Sequence, residues 1–311
     1  MPPPRVLAIV GPTASGKTPL SLLLAELLNG EIVSVDSRQV YRHLDIGTAK
    51  PSQDDMRTVR HHFIDILEPT AEYNAGQFSN EARDVLHDII NRKKMPILVG
   101  GSGLYVKAVV DGFFEGLGKD PELRNQLEEK LSREGGEALL AELRSIDPES
   151  AVKMNPTKPR RIVRALEVYY ATGIPLSKFH AEQKFDSPFE FMQIGLEWDR
   201  AELYRRINER VDNMFQLGFL NEVKSLPKKG FSRSLNALNT VGYKEMFDYL
   251  EDKTTLKQAL ELMKRNSRRF AKRQLTWFRA DTRIRWEKVD AQTDFSQLAE
   301  RVAKMFQDSH R

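Results

Sequence analysis

The chain has 311 residues, of which 40% are hydrophobic and 30% charged, and its net charge is only +4. This composition is typical of an ordinary globular protein, and the length suits one large or two ordinary domains. The complete lack of cysteine excludes disulfides and thiolate–zinc sites, and no apolar run reaches the roughly 18 residues of a membrane span. Since the start of the chain also lacks a leader pattern, a cytoplasmic location is expected.

A phosphate-binding pattern follows the first predicted strand. Residues 6–10 are a continuous apolar run, which predicts a buried parallel strand, and leucines at helical spacing predict a helix over residues 19–28. Between them stands G-x-x-x-x-G-K-T, and its position between a strand and a helix is the setting that a phosphate loop requires. This phosphate loop consists of Gly11, Pro12, Thr13, Ala14, Ser15, Gly16, Lys17 and Thr18.

The chemistry of the phosphate loop indicates a diphosphate group. Glycines allow backbone N–H groups to turn inward, and the N-terminus of the following helix adds partial positive charge. Lys17 supplies a full charge, and the Thr18 hydroxyl can bind Mg²⁺. Because ATP, GTP and compounds with a diphosphate group all satisfy these groups, the loop alone leaves its ligand open.

Asp36 ends the second predicted strand, residues 32–36. This strand follows the loop helix directly, so Asp36 is expected at the carboxyl edge of the sheet, facing the phosphates, with the capping of a turn as its alternative role. The third predicted strand, residues 95–99, ends in Gly-Gly-Ser-Gly at 100–103. It therefore lacks the acidic residue with which ATP hydrolases hold magnesium at such a strand end.

Helical patterns dominate the rest of the chain. They cover residues 75–92, 120–144 with a break at the two glycines 135–136, 160–172, 200–218 and 256–278, and one more strand is predicted at 189–196. We predict an α/β fold: a P-loop NTPase-like parallel sheet core with a helical insertion domain and a helical C-terminal part. The core comprises residues 1–118 and 190–311, and the insertion comprises residues 119–189.

Two basic stretches suit a polyanionic partner, with a solvated helix face as the plain alternative. Arg160 and Arg164 lie one helical turn apart on one face of the predicted helix 160–172. The segment 264–279 carries seven cations and no acid. Three aromatic residues of this segment are expected mainly to pack it onto the core rather than to stack on RNA: Phe270, Trp277 and Phe278.

Four further stretches match the motifs of one known family. They are Asp-Ser-Arg-Gln-Val-Tyr at 36–41, Gly-Thr-Ala-Lys at 47–50, Arg-Ile-Asn-Glu-Arg at 206–210 and Lys-Arg-Gln-Leu-Thr-Trp at 272–277. Together with the phosphate loop they resemble the tRNA dimethylallyltransferases, also called tRNA isopentenyltransferases, over residues 5–280. The cysteines of the eukaryotic zinc finger are missing, so the chain resembles the bacterial type.

The resemblance implies transfer of a dimethylallyl group from dimethylallyl diphosphate to the exocyclic N6 amine of the adenosine 3′ of the anticodon in certain tRNAs. N6-dimethylallyladenosine and diphosphate would be the products. It also implies that the phosphate loop, Arg210 and an Mg²⁺ ion on Thr18 hold the diphosphate leaving group. Asp36 matches the family's catalytic acid position and would take the proton from the attacking amine. The catalytic residues implied are Asp36, Thr18 and Arg210.

The resemblance further implies contact with the tRNA anticodon stem-loop, in part through the insertion. The target base must leave its stack and enter a pocket, where stacking and edge hydrogen bonds hold it. A monomer is expected, because no long apolar seam demands a dimer. The residues predicted to bind tRNA are Asp36, Ser37, Arg38, Gln39, Ser102, Arg124, Arg160, Arg161, Arg164, Lys272, Arg273, Gln274, Trp277 and Arg279.

Two other functions fit parts of the pattern. A small-molecule or nucleoside kinase would share the phosphate loop, the parallel sheet and a helical insertion that acts as a lid, but it would not need the basic segment or the 36–41 motif. A non-catalytic RNA-binding protein would use the loop as a switch and would bind tRNA without forming product. The sequence also leaves open whether ATP or another nucleotide can occupy the loop.

Overall fold

The computed structural model describes residues 3–112, 120–182 and 187–308. Its strands are β1 (Arg5–Val10), β2 (Gly30–Val35), β3 (His61–His62), β4 (Met95–Gly100), β5 (Glu190–Trp198) and β6 (Arg285–Val289). Its α-helices are α1 (Lys17–Leu27), α2 (Gln53–Thr58), α3 (Ala75–Asn91), α4 (Gly103–Asp111), α5 (Pro121–Ile146), α6 (Pro148–Val152), α7 (Arg160–Thr172), α8 (Leu176–Glu182), α9 (Arg200–Gln216), α10 (Phe219–Lys228), α11 (Tyr243–Leu250), α12 (Leu256–Arg279) and α13 (Phe295–Asp308). None of the helices in these ranges is long and apolar enough to cross a bilayer.

The strands form one parallel sheet in the order β3-β2-β4-β1-β5-β6. Strand β1 lies inside the sheet and is buried along its whole length. Its side chains alternate between two hydrophobic cores, as the pleat of a strand requires. Val6, Ala8 and Val10 enter one core, whereas Leu7 and Ile9 enter the other. The α/β fold with a P-loop NTPase-like sheet is therefore confirmed, as are the predicted strands within β1, β2, β4 and β5.

The C-terminal part is less purely helical than the sequence indicates. Strand β6 pairs with β5 at one edge of the sheet, and β3 occupies the other edge. The sequence predicts neither strand, because neither is an apolar run: β6 reads Arg-Trp-Glu-Lys-Val, and only Val289 is buried. Charged residues are common on edge strands, where one side faces solvent.

The described residues divide into two compact units. The larger unit contains the sheet and takes up the chain again at residue 187, so Phe189, which is 3% exposed, belongs to its core rather than to the insertion. The predicted boundary at 118/119 lies outside the described residues.

The smaller unit contains α5 to α8 around a core of its own. Helix α5 breaks at Gly135, whose φ of 81° and ψ of 169° are not helical. This is the place where the sequence predicts a break. Helix α7 runs over the predicted residues and ends at Gly173, whose φ of 71° is the left-handed conformation that glycine adopts readily.

Candidate active site

The phosphate loop has the left-handed turns that its glycines allow. Gly16, directly before α1, has a φ of 93°, and a Cβ atom there would lie 2.5 Å from the Phe295 ring. Position 16 therefore requires glycine for both its conformation and its packing. Because α1 begins at Lys17, the backbone N–H groups of Lys17 and Thr18 have no partner inside the helix.

Two side chains of the larger unit hold the outer side of the loop. Arg206 of α9 donates from Nε to the Ala14 carbonyl oxygen at 3.0 Å, and Trp198 of β5 donates from Nε1 to the Ser15 carbonyl oxygen at 2.8 Å. The Arg206 guanidinium also lies 4.2 Å from the centre of the Trp198 ring. The carbonyl oxygens are thus fixed away from the anion that the loop amides would bind.

Gln274 of α12 links the loop to the glycine turn, residues 100–103. Its Oε1 accepts from the Thr13 N–H and its Nε2 donates to the Gly101 carbonyl oxygen, both at 2.9 Å. The residue is only 7% exposed, and a Cβ atom at Gly101 would lie 2.3 Å from Nε2. Both ends of the amide are thus bonded inside the protein, and contact of Gln274 with tRNA stays a prediction. Gln274 positions the phosphate loop.

Asp36 directly follows β2 and uses its two carboxylate oxygens differently. Oδ1 accepts from the backbone N–H groups of Arg38 at 2.8 Å and Gln39 at 3.4 Å. Oδ2 has no hydrogen-bond partner among the residues that the structure describes. Asp36 therefore caps a turn and also keeps one acceptor oxygen free.

Lys17, Arg210 and Asp36 interact electrostatically. Burial, followed by the positive charge of Arg210, lowers the pKa of Lys17 to about 7, and the charge of Asp36 opposes the shift. Burial also lowers the pKa of Arg210, again against the effect of Asp36. Two cations thus lie in a buried environment near a single carboxylate, and a bound anion would stabilise their charged forms.

A cavity of about 940 Å³ brings these groups together. Residues 13–18 of the phosphate loop, residues 36–39 and residues 100–102 of the glycine turn line it, and each of these segments lies at the carboxyl end of a strand. Ligands of open α/β sheets bind at this edge. Helix α9 adds Arg206 and Arg210 to the lining, and α12 adds Arg269, Phe270 and Arg273.

The residues next to Asp36 also line the cavity and make contacts within the protein. The Ser37 N–H donates to Ser102 Oγ at 3.1 Å, which ties this segment to the glycine turn. Arg38 Nη1 donates to the Asn236 carbonyl oxygen at 2.6 Å. Contact of these residues with tRNA stays a prediction.

Gln39 uses its whole side-chain amide inside the protein. Nε2 donates to the carbonyl oxygens of Thr48 and Ala49 at 3.2 and 3.1 Å, and Oε1 accepts from Ser34 Oγ at 2.9 Å. The amide holds residues 48 and 49 against the Asp36 segment, and contact of Gln39 with tRNA stays a prediction.

Helix α12 presents cations and two partly exposed aromatic rings. Lys272 and Arg273 are exposed, whereas Arg279 pairs with Glu197 at 2.8 Å. Phe278 is 2% exposed, which confirms its packing role. Phe270 and Trp277 keep 39% and 42% of their surface exposed, so the expectation that they mainly pack onto the core is met only in part.

The arginines of the smaller unit fall into two groups. Arg160 and Arg161 are exposed. Arg124 and Arg164 approach the same carboxylate, that of the buried Glu167, at 3.8 and 2.9 Å. A fixed pair of guanidinium groups and two exposed cations are compatible with phosphate binding.

Arg206 and Glu222 have structural roles that the sequence does not predict. Arg206 lies four positions before Arg210, and this spacing on one face of a helix could have indicated it. Glu222 binds backbone groups 175 to 177 positions away, and local sequence carries no signal for such contacts.

A family model described as IPP transferase matches residues 39–281 of this chain. The chain belongs to the IPP transferase family. It is 45% identical to the tRNA dimethylallyltransferase of Pelotomaculum thermopropionicum over 300 residues, which are 96% of this chain and 95% of that protein. Its identity with the tRNA dimethylallyltransferase of Carboxydothermus hydrogenoformans is 48% over 284 residues, 91% of each chain.

Solved structures of IPP transferases have the same fold as this chain. The tRNA isopentenylpyrophosphate transferase of Bacillus halodurans superposes with a TM-score of 0.72 at 41% identity, covering 98% of this chain and 97% of that one. A eukaryotic dimethylallyltransferase acting on tRNA superposes with a TM-score of 0.85 at 28% identity, covering 98% of this chain and 80% of that one. The predicted family, its bacterial type and the transferase class are confirmed, and the kinase alternative is not supported.

Proposed function

We propose that this protein transfers the dimethylallyl group of dimethylallyl diphosphate to the N6 amine of the adenosine 3′ of the anticodon in tRNA. The observation that carries the proposal is the cavity at the sheet edge, in which the phosphate loop, Asp36 and Arg210 line one space. Relatives that align over nearly the whole chain are tRNA dimethylallyltransferases, which supports this reaction over other uses of a phosphate loop.

The loop side of the cavity holds the diphosphate. Lys17 and Arg210 supply positive charge beside the free N–H groups of the first turn of α1. Ser15 is 1% exposed, and its Oγ has no hydrogen-bond partner among the described residues. A buried hydroxyl without a partner is costly, and an oxygen of the diphosphate would satisfy it.

The donor set also fits Mg²⁺. The described residues contain no cluster of three His, Cys, Asp or Glu side chains that could hold a metal, but Thr18 is exposed in the first turn of α1. Magnesium commonly binds proteins through few side-chain oxygens together with substrate phosphates and waters. Bound at Thr18 and the diphosphate, it would neutralise charge on the leaving group.

On the Asp36 side of the cavity, the reaction needs one group that accepts a proton. The N6 lone pair forms a bond to the allylic carbon, and the bond from that carbon to the diphosphate oxygen breaks. Oδ2 of Asp36, which has no partner among the described residues, accepts one N6 proton, so the product amine is neutral. Lys17 and Arg210 stabilise the charge that grows on the diphosphate.

The RNA side of the cavity is formed by α12. Arg269 and Arg273 bind phosphates, and the exposed part of the Phe270 ring offers a stacking surface for the extracted base. The arginines of the smaller unit bind the stem-loop backbone. A monomeric state and a cytoplasmic location belong to the same proposal.

The test incubates purified protein with dimethylallyl diphosphate, Mg²⁺ and unmodified tRNA, followed by mass analysis of the nucleosides. We expect one five-carbon addition on adenosine, and none on a tRNA transcript that carries guanosine at the target position. Thermal stabilisation by dimethylallyl diphosphate compared with that by ATP shows which of the two ligands binds the loop. Turnover of ATP onto a small metabolite, with no mass added to RNA, would contradict the proposal.

A further inference from the structure

The carboxylate of Glu222, on α10, accepts four hydrogen bonds. Oε2 accepts from the backbone N–H groups of Asp45 at 2.9 Å and Ile46 at 2.7 Å. Oε1 accepts from the Gly47 N–H at 3.1 Å and from the Tyr243 hydroxyl at 2.6 Å. Three successive backbone donors thus converge on one side chain from a distant part of the chain.

Converging N–H groups of this kind form an anion-binding concavity, which elsewhere holds phosphate. Here the protein fills the concavity with its own carboxylate, and hydrogen bonds to an ionised acceptor are about twice as strong as neutral ones. The turn also has no room for a side chain at position 47. A Cβ atom at Gly47 would lie 2.3 Å from the Phe219 ring and 2.6 Å from the Tyr243 ring.

The segment that Glu222 holds, residues 45–49, continues into the active site. Gly47, Thr48 and Ala49 line the cavity. Gln39 donates to the carbonyl oxygens of Thr48 and Ala49, and its own N–H lies 3.4 Å from Oδ1 of Asp36. A continuous set of hydrogen bonds therefore runs from Glu222 through residues 45–49 and Gln39 to the Asp36 segment.

We propose that Glu222 is a positioning residue for prenyl transfer. Glu222 is not among the residues that line the cavity. It fixes residues 45–49, and through Gln39 it sets the place of Asp36 relative to the phosphate loop. The expected loss of rate rests on the proposed function. The fixing of residues 45–49 by Glu222 does not.

The variant Glu222→Gln tests the hydrogen bonds of the carboxylate without changing the volume of the side chain, because glutamine has nearly the same shape as glutamate. A carboxamide has one oxygen, so it can serve either the Asp45 and Ile46 pair or the Gly47 and Tyr243 pair, and the other pair faces an NH₂ group that cannot accept. We expect the single-turnover rate of prenyl transfer to fall by about 10- to 100-fold. The Kd for tRNA should stay within about twofold, because the cations that bind phosphate are unchanged.

Two further variants complete the series. Tyr243→Phe removes one of the four hydrogen bonds and keeps the three backbone bonds, so its rate should fall by less than about tenfold. Glu300→Gln removes a charge from an exposed position of α13 and should leave the rate unchanged. If Glu222→Gln does not fold, Tyr243→Phe carries the test, and a rate equal to that of the unaltered protein overturns the proposal.

Amide hydrogen exchange provides a measurement that does not depend on the reaction. The amides of residues 45–49 should exchange at least about tenfold faster in Glu222→Gln than in the unaltered protein, while those of β1 remain protected. If the unaltered protein forms no prenylated adenosine, the proposed function fails. The exchange result still decides whether Glu222 holds residues 45–49 in place. Unchanged exchange, or a normal single-turnover rate with faster exchange, overturns the positioning role.

Discussion

At the scale of single residues, the two oxygens of Asp36 can be tested apart. Asparagine at this position keeps an oxygen that can cap the turn at Arg38, but it cannot accept a proton from an amine. We expect Asp36→Asn to slow single-turnover prenyl transfer by about 10²- to 10⁴-fold, with tRNA affinity retained. Rapid-quench measurement of modified adenosine checks this, and a rate close to normal would remove Asp36 from proton transfer.

Lys17 gives a prediction about pH. Its pKa of about 7 lies below the ordinary 10.5 because of burial and Arg210. A bound diphosphate favours the charged form, so binding raises this pKa and takes up a proton above about pH 7. The Lys17 contribution to the affinity for dimethylallyl diphosphate should therefore weaken as the pH rises above about 7.

Calorimetric titration at pH 8 in two buffers of different ionisation enthalpy measures that proton uptake. Lys17→Arg is the matched control, because an arginine stays protonated at this pH. We expect proton uptake to disappear in the variant. Uptake that persists unchanged would assign the proton to the diphosphate or to another group.

At the scale of elements, local patterns predict those structures whose causes are local. The bounds of α7 follow from its apolar spacing and the glycine after it, and β1 follows from a continuous apolar run. Strands β3 and β6 escape prediction because pairing with a neighbour, not their own residues, makes them strands. The same limit applies to the site. The glycine pattern indicates the phosphate loop, but the hydrogen bonds of Gln274 reach partners 173 and 261 positions away.

Helix α12 carries the prediction on RNA affinity. Replacing Arg269 and Arg273 with alanine should weaken tRNA binding and lower the slope of log Kd against log salt concentration by about one for each phosphate that is no longer neutralised. Filter binding across a salt series measures the slope. Lys304→Ala, at an exposed position of α13, is the control for the removal of a positive charge. A slope that does not change in the double variant would exclude α12 from phosphate contact.

At the scale of the whole molecule, the division into two units predicts a division of binding. The phosphate loop belongs to the larger unit, and Arg160 and Arg161 belong to the smaller one. Replacing both arginines with alanine should raise the Kd for tRNA by about 10-fold or more, and leave the Kd for dimethylallyl diphosphate unchanged. Filter binding measures the Kd for tRNA, and calorimetry measures the Kd for dimethylallyl diphosphate. An unchanged tRNA affinity would remove this pair from the RNA interface.

The contact between Gly16 and Phe295 has a consequence for the time at which the enzyme becomes competent during its synthesis. The two residues are 279 positions apart, and the ring fills the space behind the loop. At about 5–20 residues per second, a ribosome needs roughly 14 to 56 s to pass from one to the other. A nascent chain can form β1 and α1 early, but its diphosphate pocket gains its rear support only after Phe295 has been translated. Fragments released before that point would bind the allylic substrate poorly.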